Sequence, residues 1–128
     1  MNLNQVTVPV LDVEKAITFY EEFGLKLIVK SLPHYARFQC PVATSTFSLH
    51  QVNNLPAGES VWVYFEIENL DTTVSLLIDK GFIFEENPED KPWLWREAIL
   101  RDLDNNKIIL YHAGINRTNP PWKINPKT

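Results

Sequence analysis

Imidazole is the side chain that ordinarily changes charge near neutral pH. His50 is therefore the first candidate for proton transfer in this sequence. The competing reading is a hydrogen-bonded sheet histidine, since a general base needs a substrate proton within reach. Residues 44–51 read as a strand, and its period of two places Ser48 and His50 on one face. The same parity pairs Trp62 with Tyr64, and Ile109 with Tyr111. Such indole, phenol and hydroxyl groups suit a flat or amphipathic small molecule. Tryptophan and tyrosine in sheets are also ordinary core residues, and both readings stand at this point.

The run Pro92-Trp93-Leu94-Trp95-Arg96-Glu97 is the most unusual in the chain. As a strand it would put Trp93 and Trp95 on one face and Arg96 on the other. It could gate a ligand, with Arg96 or Glu97 orienting a polar group. It could equally be a subunit contact or a sheet edge carrying an Arg–Glu pair, because Trp and Arg are enriched at ligand sites and interfaces alike.

Other matches carry less. Asp102-x-Asp104-x-Asn106 imitates the start of a calcium loop, but Lys107 stands where glycine is required and Ala113 where glutamate is. A turn is the expectation, since Asn and Asp bond their own backbone and tolerate the left-handed region. Asn116-Arg117-Thr118 is a glycosylation sequon in form only. Cys40, beside Pro41, reads as a small buried hydrophobe. His34 reads as a solvated turn residue and His112 as outward-facing. The acidic stretch 85–90 reads as a solvated loop. No glycine-rich phosphate cradle exists, and the three histidines have no ligand spacing.

The elements that must position these groups repeat. A shift of 57 positions carries Gln5 onto Trp62 and Gly24 onto Gly81, with strand, N-cap, helix, glycine stop and strand in the same order. In the first copy we expect strands at 5–10, 25–30, 35–40 and 44–51. Asp12 caps a helix carrying Val13, Ala16, Ile17 and Tyr20, which Gly24 ends. In the second, strands are expected at 61–67, 82–85, 95–101 and 107–112. Asn69 or Asp71 caps a helix carrying Val74, Leu77 and Ile78, and Gly81 ends it. The modules span 1–55 and 60–114. A tail, 115–128, contains Pro120, Pro121 and Pro126 and is expected to dock through Trp122. The fold class is α+β: paired βαβββ modules forming a cupped mixed sheet with helices outside.

Composition sets the limits. The chain has 128 residues, 45% hydrophobic and 22% charged, enough for a core of its own. Net charge is −4 with no basic block, so nucleic acid and anionic membranes lack electrostatic support as partners. No apolar run approaches the roughly 20 residues needed to span a bilayer. The opening Met-Asn-Leu-Asn-Gln-Val lacks the features of a secretory signal, and a cytoplasmic location is expected. One cysteine excludes an internal disulfide and a multi-cysteine zinc site.

Val6-Thr7-Val8-Pro9-Val10-Leu11-Asp12-Val13, leading to Phe19-Tyr20 and Gly24-Leu25, resembles the vicinal oxygen chelate superfamily, which includes glyoxalase I, extradiol dioxygenases and bleomycin-resistance proteins. Asp102-Leu103-Asp104-Asn105-Asn106 is similar to its Asp-Pro-Asp-Gly-Asn turn, with Leu103 and Asn105 departing from the Pro and Gly. The resemblance covers about residues 3–113. It implies paired modules, a site inside the cup and a homodimer. The family's metal-ligand positions fall on Gln5, Ser48, Trp62 and Ile109. Trp and Ile offer no donor, so the resemblance implies no cofactor here, unless a displaced metal site used His50, Gln5 and Glu66. It does imply a pocket of Gln5, Ser48, His50, Trp62, Tyr64, Ile109 and Tyr111, with Trp93, Trp95 and Arg96 as further ligand contacts.

Three functions follow as expectations. The first is metal-independent binding of a small molecule by aromatic burial, oriented by Gln5, Ser48 and His50. The second is a lyase, isomerase or dioxygenase-like enzyme with a non-standard site using His50. The third is a noncatalytic interaction subunit with a Trp93–Trp95 patch.

Overall fold

A computed structural model describes residues 1–125. The chain forms two compact units, one of residues 1–61 with Asp102–Asn106, the other of Trp62–Arg101 with residues 107–125. Each holds one helix and one four-stranded mixed sheet, an α+β architecture of two βαβββ modules. No described helix is long and apolar enough to cross a membrane.

The first unit contains β1 (Gln5–Val10), α1 (Val13–Phe23), β2 (Lys26–Ser31), β3 (Tyr35–Gln39) and β4 (Thr46–Gln51), with sheet order β1-β4-β3-β2. Only β1 and β4 pair in parallel, because the helix makes the crossover between distant strands. Asp12 caps α1, its carboxylate accepting from the Lys15 N–H at 3.1 Å. Gly24 ends the helix in the left-handed region, φ 118°, which a Cβ would strain. Val13, Ala16, Ile17 and Tyr20 are buried along one stripe, as their spacing requires. They cover Val8, Val10, Ala36, Phe38, Phe47 and Leu49. Strand parity leaves Gln5, Thr7, Tyr35, Arg37, Thr46, Ser48 and His50 on the opposite face.

The second unit repeats this order with β5 (Val63–Glu66), α2 (Leu70–Asp79), β6 (Phe84–Asp90), β7 (Arg96–Arg101) and β8 (Lys107–His112), arranged β5-β8-β7-β6. Leu70, Val74 and Leu77 of α2 are buried, whereas Ile78 is exposed, contrary to its expected place on the helix stripe. Asn69 is the N-cap, but its side chain makes no capping bond. Asp71 does not cap either; its carboxylate is taken by Arg96 at 3.0 Å.

At four places the fold departs from what the sequence predicts. The acidic stretch is strand β6 rather than a loop. It lies at the sheet edge, where Pro88 and two register irregularities are tolerated. Each of its carboxylates has a cation partner: Glu85 with Arg101, Glu86 and Glu89 with Lys91, Asp90 with Arg96. Trp93 belongs to no strand. Lys91 and Trp95 close a three-residue hairpin loop, with Lys91 N–H donating to Trp95 C=O at 2.8 Å and Leu94 in the left-handed region at φ 66°. Trp62 lies just ahead of β5 rather than within it. Trp122 does not dock; it is 57% exposed beyond a short 3₁₀ turn, Gly114–Arg117. Pro126, assigned to the same tail, lies outside the described residues.

Candidate functional site

In the first unit, the sheet face away from α1 carries a connected polar network. The Gln5 amide accepts from the Thr46 hydroxyl and donates to Ser48 Oγ at 2.7 Å. The Val6 carbonyl, which can only accept, takes a Gln5 N–H at 3.1 Å and fixes which end of the amide is which. Ser48, fully buried, shares a 2.7 Å hydrogen bond with the Tyr35 hydroxyl. Arg37 Nε donates to the same phenol oxygen at 2.9 Å. Arg37 is Ser48's direct partner across the sheet, and Tyr35 is His50's, so the register brings the four together. Burial works against a Tyr35 phenolate, but the Ser48 and Arg37 hydrogen bonds and the Arg37 charge outweigh it, and the phenol titrates below its usual value.

Sequence reasoning missed Tyr35 and Arg37. The usable signal was their spacing: Tyr-x-Arg on one strand shares a face, and the antiparallel neighbour already carried Ser48 and His50. His50 itself is exposed, and among the described residues its imidazole has no hydrogen bond or ion pair to orient it. Cys40 is half-buried, which raises its thiol pKa.

In the second unit, the sheet face away from α2 is aromatic. Trp95 and Tyr111 stack with centroids 4.7 Å apart and planes at 23°. Tyr64 meets both edge-on, at 6.0 and 5.5 Å. Ile109 and Ala113 are buried beside Tyr111, and Ile99 packs on the same cluster. The Trp95 indole is held by Asn116 C=O at 3.2 Å. Glu97, only 4% exposed, accepts from the Trp93 indole at 2.6 Å, so Trp93 folds onto this face from the hairpin. Tyr64 remains 41% exposed. Burial, then the Glu97 charge, raises its phenol pKa; burial and Glu66 do the same for Tyr111. Trp62 lies under the Lys107 ammonium, 3.7 Å from its ring centroid.

Arg96 stands apart from this cluster. It points to the helix side, bound to Asp71 at 3.0 Å and Asp90 at 3.0 Å. The Arg96–Glu97 pair, one of the alternatives for this run, does not form, because strand alternation sends the two to opposite faces. Arg96 borders a shallow hollow of about 230 Å³ with Glu68, Asn69, Asp71 and His112, and none of the aromatic candidates line it.

The family's metal positions do not fit a cation. The Gln5 carbonyl and the Ser48 hydroxyl are committed to neighbours, Trp62 presents a ring to Lys107, and Ile109 is a buried alkyl group. A divalent ion needs three or four oxygen or nitrogen donors. Glu66, weighed for a displaced site, instead receives the Ala113 and Gly114 N–H groups at 2.9 and 3.1 Å. Among the described residues no cluster of three or more His, Cys, Asp or Glu is assembled for a metal.

A profile of the Glyoxalase/Bleomycin resistance protein/Dioxygenase superfamily matches residues 2–110. No curated protein matches the sequence significantly. Among solved structures, a glyoxalase/bleomycin resistance protein/dioxygenase from Nocardioides superposes with TM-score 0.77 at 20% identity, covering 98% of this chain and 90% of its own. The bleomycin resistance determinant encoded on transposon Tn5 gives 0.75 at 15%, covering 88% and 98%. A lactoylglutathione lyase from Agrobacterium tumefaciens gives 0.74 at 16%, covering 89% and 95%. At these identities the likeness is one of fold.

Proposed function

This chain belongs to the Glyoxalase/Bleomycin resistance protein/Dioxygenase superfamily, and from that premise we propose that it is a metal-independent small-molecule binding protein. One observation carries the reading. The second sheet presents Tyr64, Trp95 and Tyr111 as an aromatic surface with Tyr64 still 41% exposed, while the four metal positions hold Gln5, Ser48, Trp62 and Ile109. A flat ligand would add its ring to Tyr64 and gain stacking and apolar burial. The fold neighbours named for bleomycin resistance and for lactoylglutathione lysis mark the two alternatives, sequestration and catalysis. The ligand-position residues favour the first, since nothing there polarises a carbonyl. Pairing of two copies belongs to the same reading.

Intrinsic tryptophan fluorescence tests it. Titration with a panel of planar aromatic compounds should quench or shift emission saturably, in protein purified without chelator and carrying less than stoichiometric zinc, nickel, iron or manganese. Stoichiometric metal, or silence across the panel, overturns the reading. Light scattering tests the pairing.

A further inference from the structure

We propose that the face of the first sheet formed by Gln5, Tyr35, Arg37 and Ser48 is a recognition site for an anionic group, a carboxylate or phosphate, on a small molecule. Thr46 donates to the Gln5 carbonyl, which turns the Gln5 NH₂ toward Ser48. Ser48 Oγ therefore accepts from Gln5, and it shares one proton with the Tyr35 hydroxyl, either oxygen being able to donate. The Tyr35 oxygen also accepts from Arg37 Nε. Of the Ser48 and Tyr35 protons one is used between the two oxygens, and the other is left to donate to a further acceptor. The same bond to Nε fixes the guanidinium plane and leaves its two terminal nitrogens to donate. Among the described residues, Arg37 has no carboxylate within ion-pair distance.

The surroundings agree. The positions that the register places on this face, from Gln5, Thr7 and Pro9 on β1 to Lys26, Val29 and Ser31 on β2, include no acidic residue. In a chain of net charge −4, a face with an arginine, a lysine and a row of hydroxyls and no Asp or Glu is a local reversal of sign. A group with acceptors only satisfies every outward donor here; a neutral amide or amine leaves some donor unpaired or faces the cation with its own N–H. The lowered Tyr35 pKa makes its hydroxyl a stronger donor.

This inference rests on the reading that the chain takes a small molecule, and adds the charge of that molecule. The test is titration of the intact protein with benzoate, phenyl phosphate and the neutral isostere benzamide, followed by NMR of the Arg37 Nε–H and by calorimetry. Benzoate or phenyl phosphate should move the Arg37 signal saturably, and the tighter of the two identifies the group. Benzamide should bind at least about tenfold more weakly, the scale of one charge-assisted hydrogen bond. Arg37→Gln should abolish the preference, Tyr35→Phe should weaken it about tenfold, and Arg37→Lys should restore part of it, each with an unchanged circular dichroism spectrum. Equal binding of benzoate and benzamide, or a preference that survives Arg37→Gln, overturns the inference. If neutral planar aromatics still quench tryptophan emission in that case, the small-molecule reading stands alone; if no compound binds, both fall.

Discussion

The Tyr20 hydroxyl donates to Asp102 Oδ2 at 2.5 Å, deep in the first unit. Asp102 also accepts from the Asp104 and Asn106 N–H groups and from the Asn106 amide, at 2.8–2.9 Å. The motif that imitates a calcium loop is thus a buried carboxylate saturated by protein donors. Tyr20→Phe should remove one of them and destabilise by about 1–3 kcal/mol in urea denaturation, with Asp102→Ala costing more. A Tyr20→Phe protein as stable as the parent would show the bond to be without net effect.

The same pair sets an alkaline limit. Burial, then Asp102, raises the Tyr20 pKa far above the ordinary tyrosine value. The folded protein keeps a proton that the unfolded chain loses near pH 10, so stability is fully present below that value and falls as pH rises beyond it. The slope contribution is about 1.4 kcal/mol per pH unit. Tyr20→Phe should flatten the decline measured by thermal melting between pH 9 and 11. An unaltered slope would contradict the assignment.

Tyr35 runs the other way. Its phenol is the one lowered among the four tyrosines, while Tyr20, Tyr64 and Tyr111 are raised. Absorbance titration of phenolate should show a single early step that disappears in Tyr35→Phe and moves upward in Arg37→Gln. An early step that persists in Tyr35→Phe would locate it elsewhere.

Tyr64 and Trp95 separate binding from packing. Tyr64→Ala, at an exposed position, should change stability by less than about 1 kcal/mol yet reduce the fluorescence response to planar ligands. Trp95→Ala should lose about 2–4 kcal/mol as well, because its ring stacks on Tyr111 and its indole holds Asn116. Full ligand response in Tyr64→Ala would remove this ring from the site.

Leu94 holds a left-handed backbone at φ 66° in an exposed hairpin loop. Leu94→Gly should relieve this and stabilise by about 1 kcal/mol, read as a higher melting temperature. A lower one would mean that the leucine side chain packs more than its exposure suggests.

What could be read from the chain alone was whatever depends on neighbours in sequence. Asp12 and Gly24 bound the first helix because a cap and a left-handed stop act within one turn. Strand β1 begins and ends where its alternation does, β8 where its apolar run does, and the internal shift exposed two copies of one βαβββ unit. What the fold alone decided was pairing across the sheets. The acidic stretch is a strand because it pairs antiparallel with β7, which also brings Arg96 to Asp90 and Arg101 to Glu85. Arg96 found Asp71 rather than Glu97, and Tyr35 and Arg37 acquired meaning only when the register set them beside His50 and Ser48. Local propensity acts through the backbone of adjacent residues, whereas charge and hydrogen-bond partners are chosen in three dimensions, and spacing along a strand gives no more than a shared face.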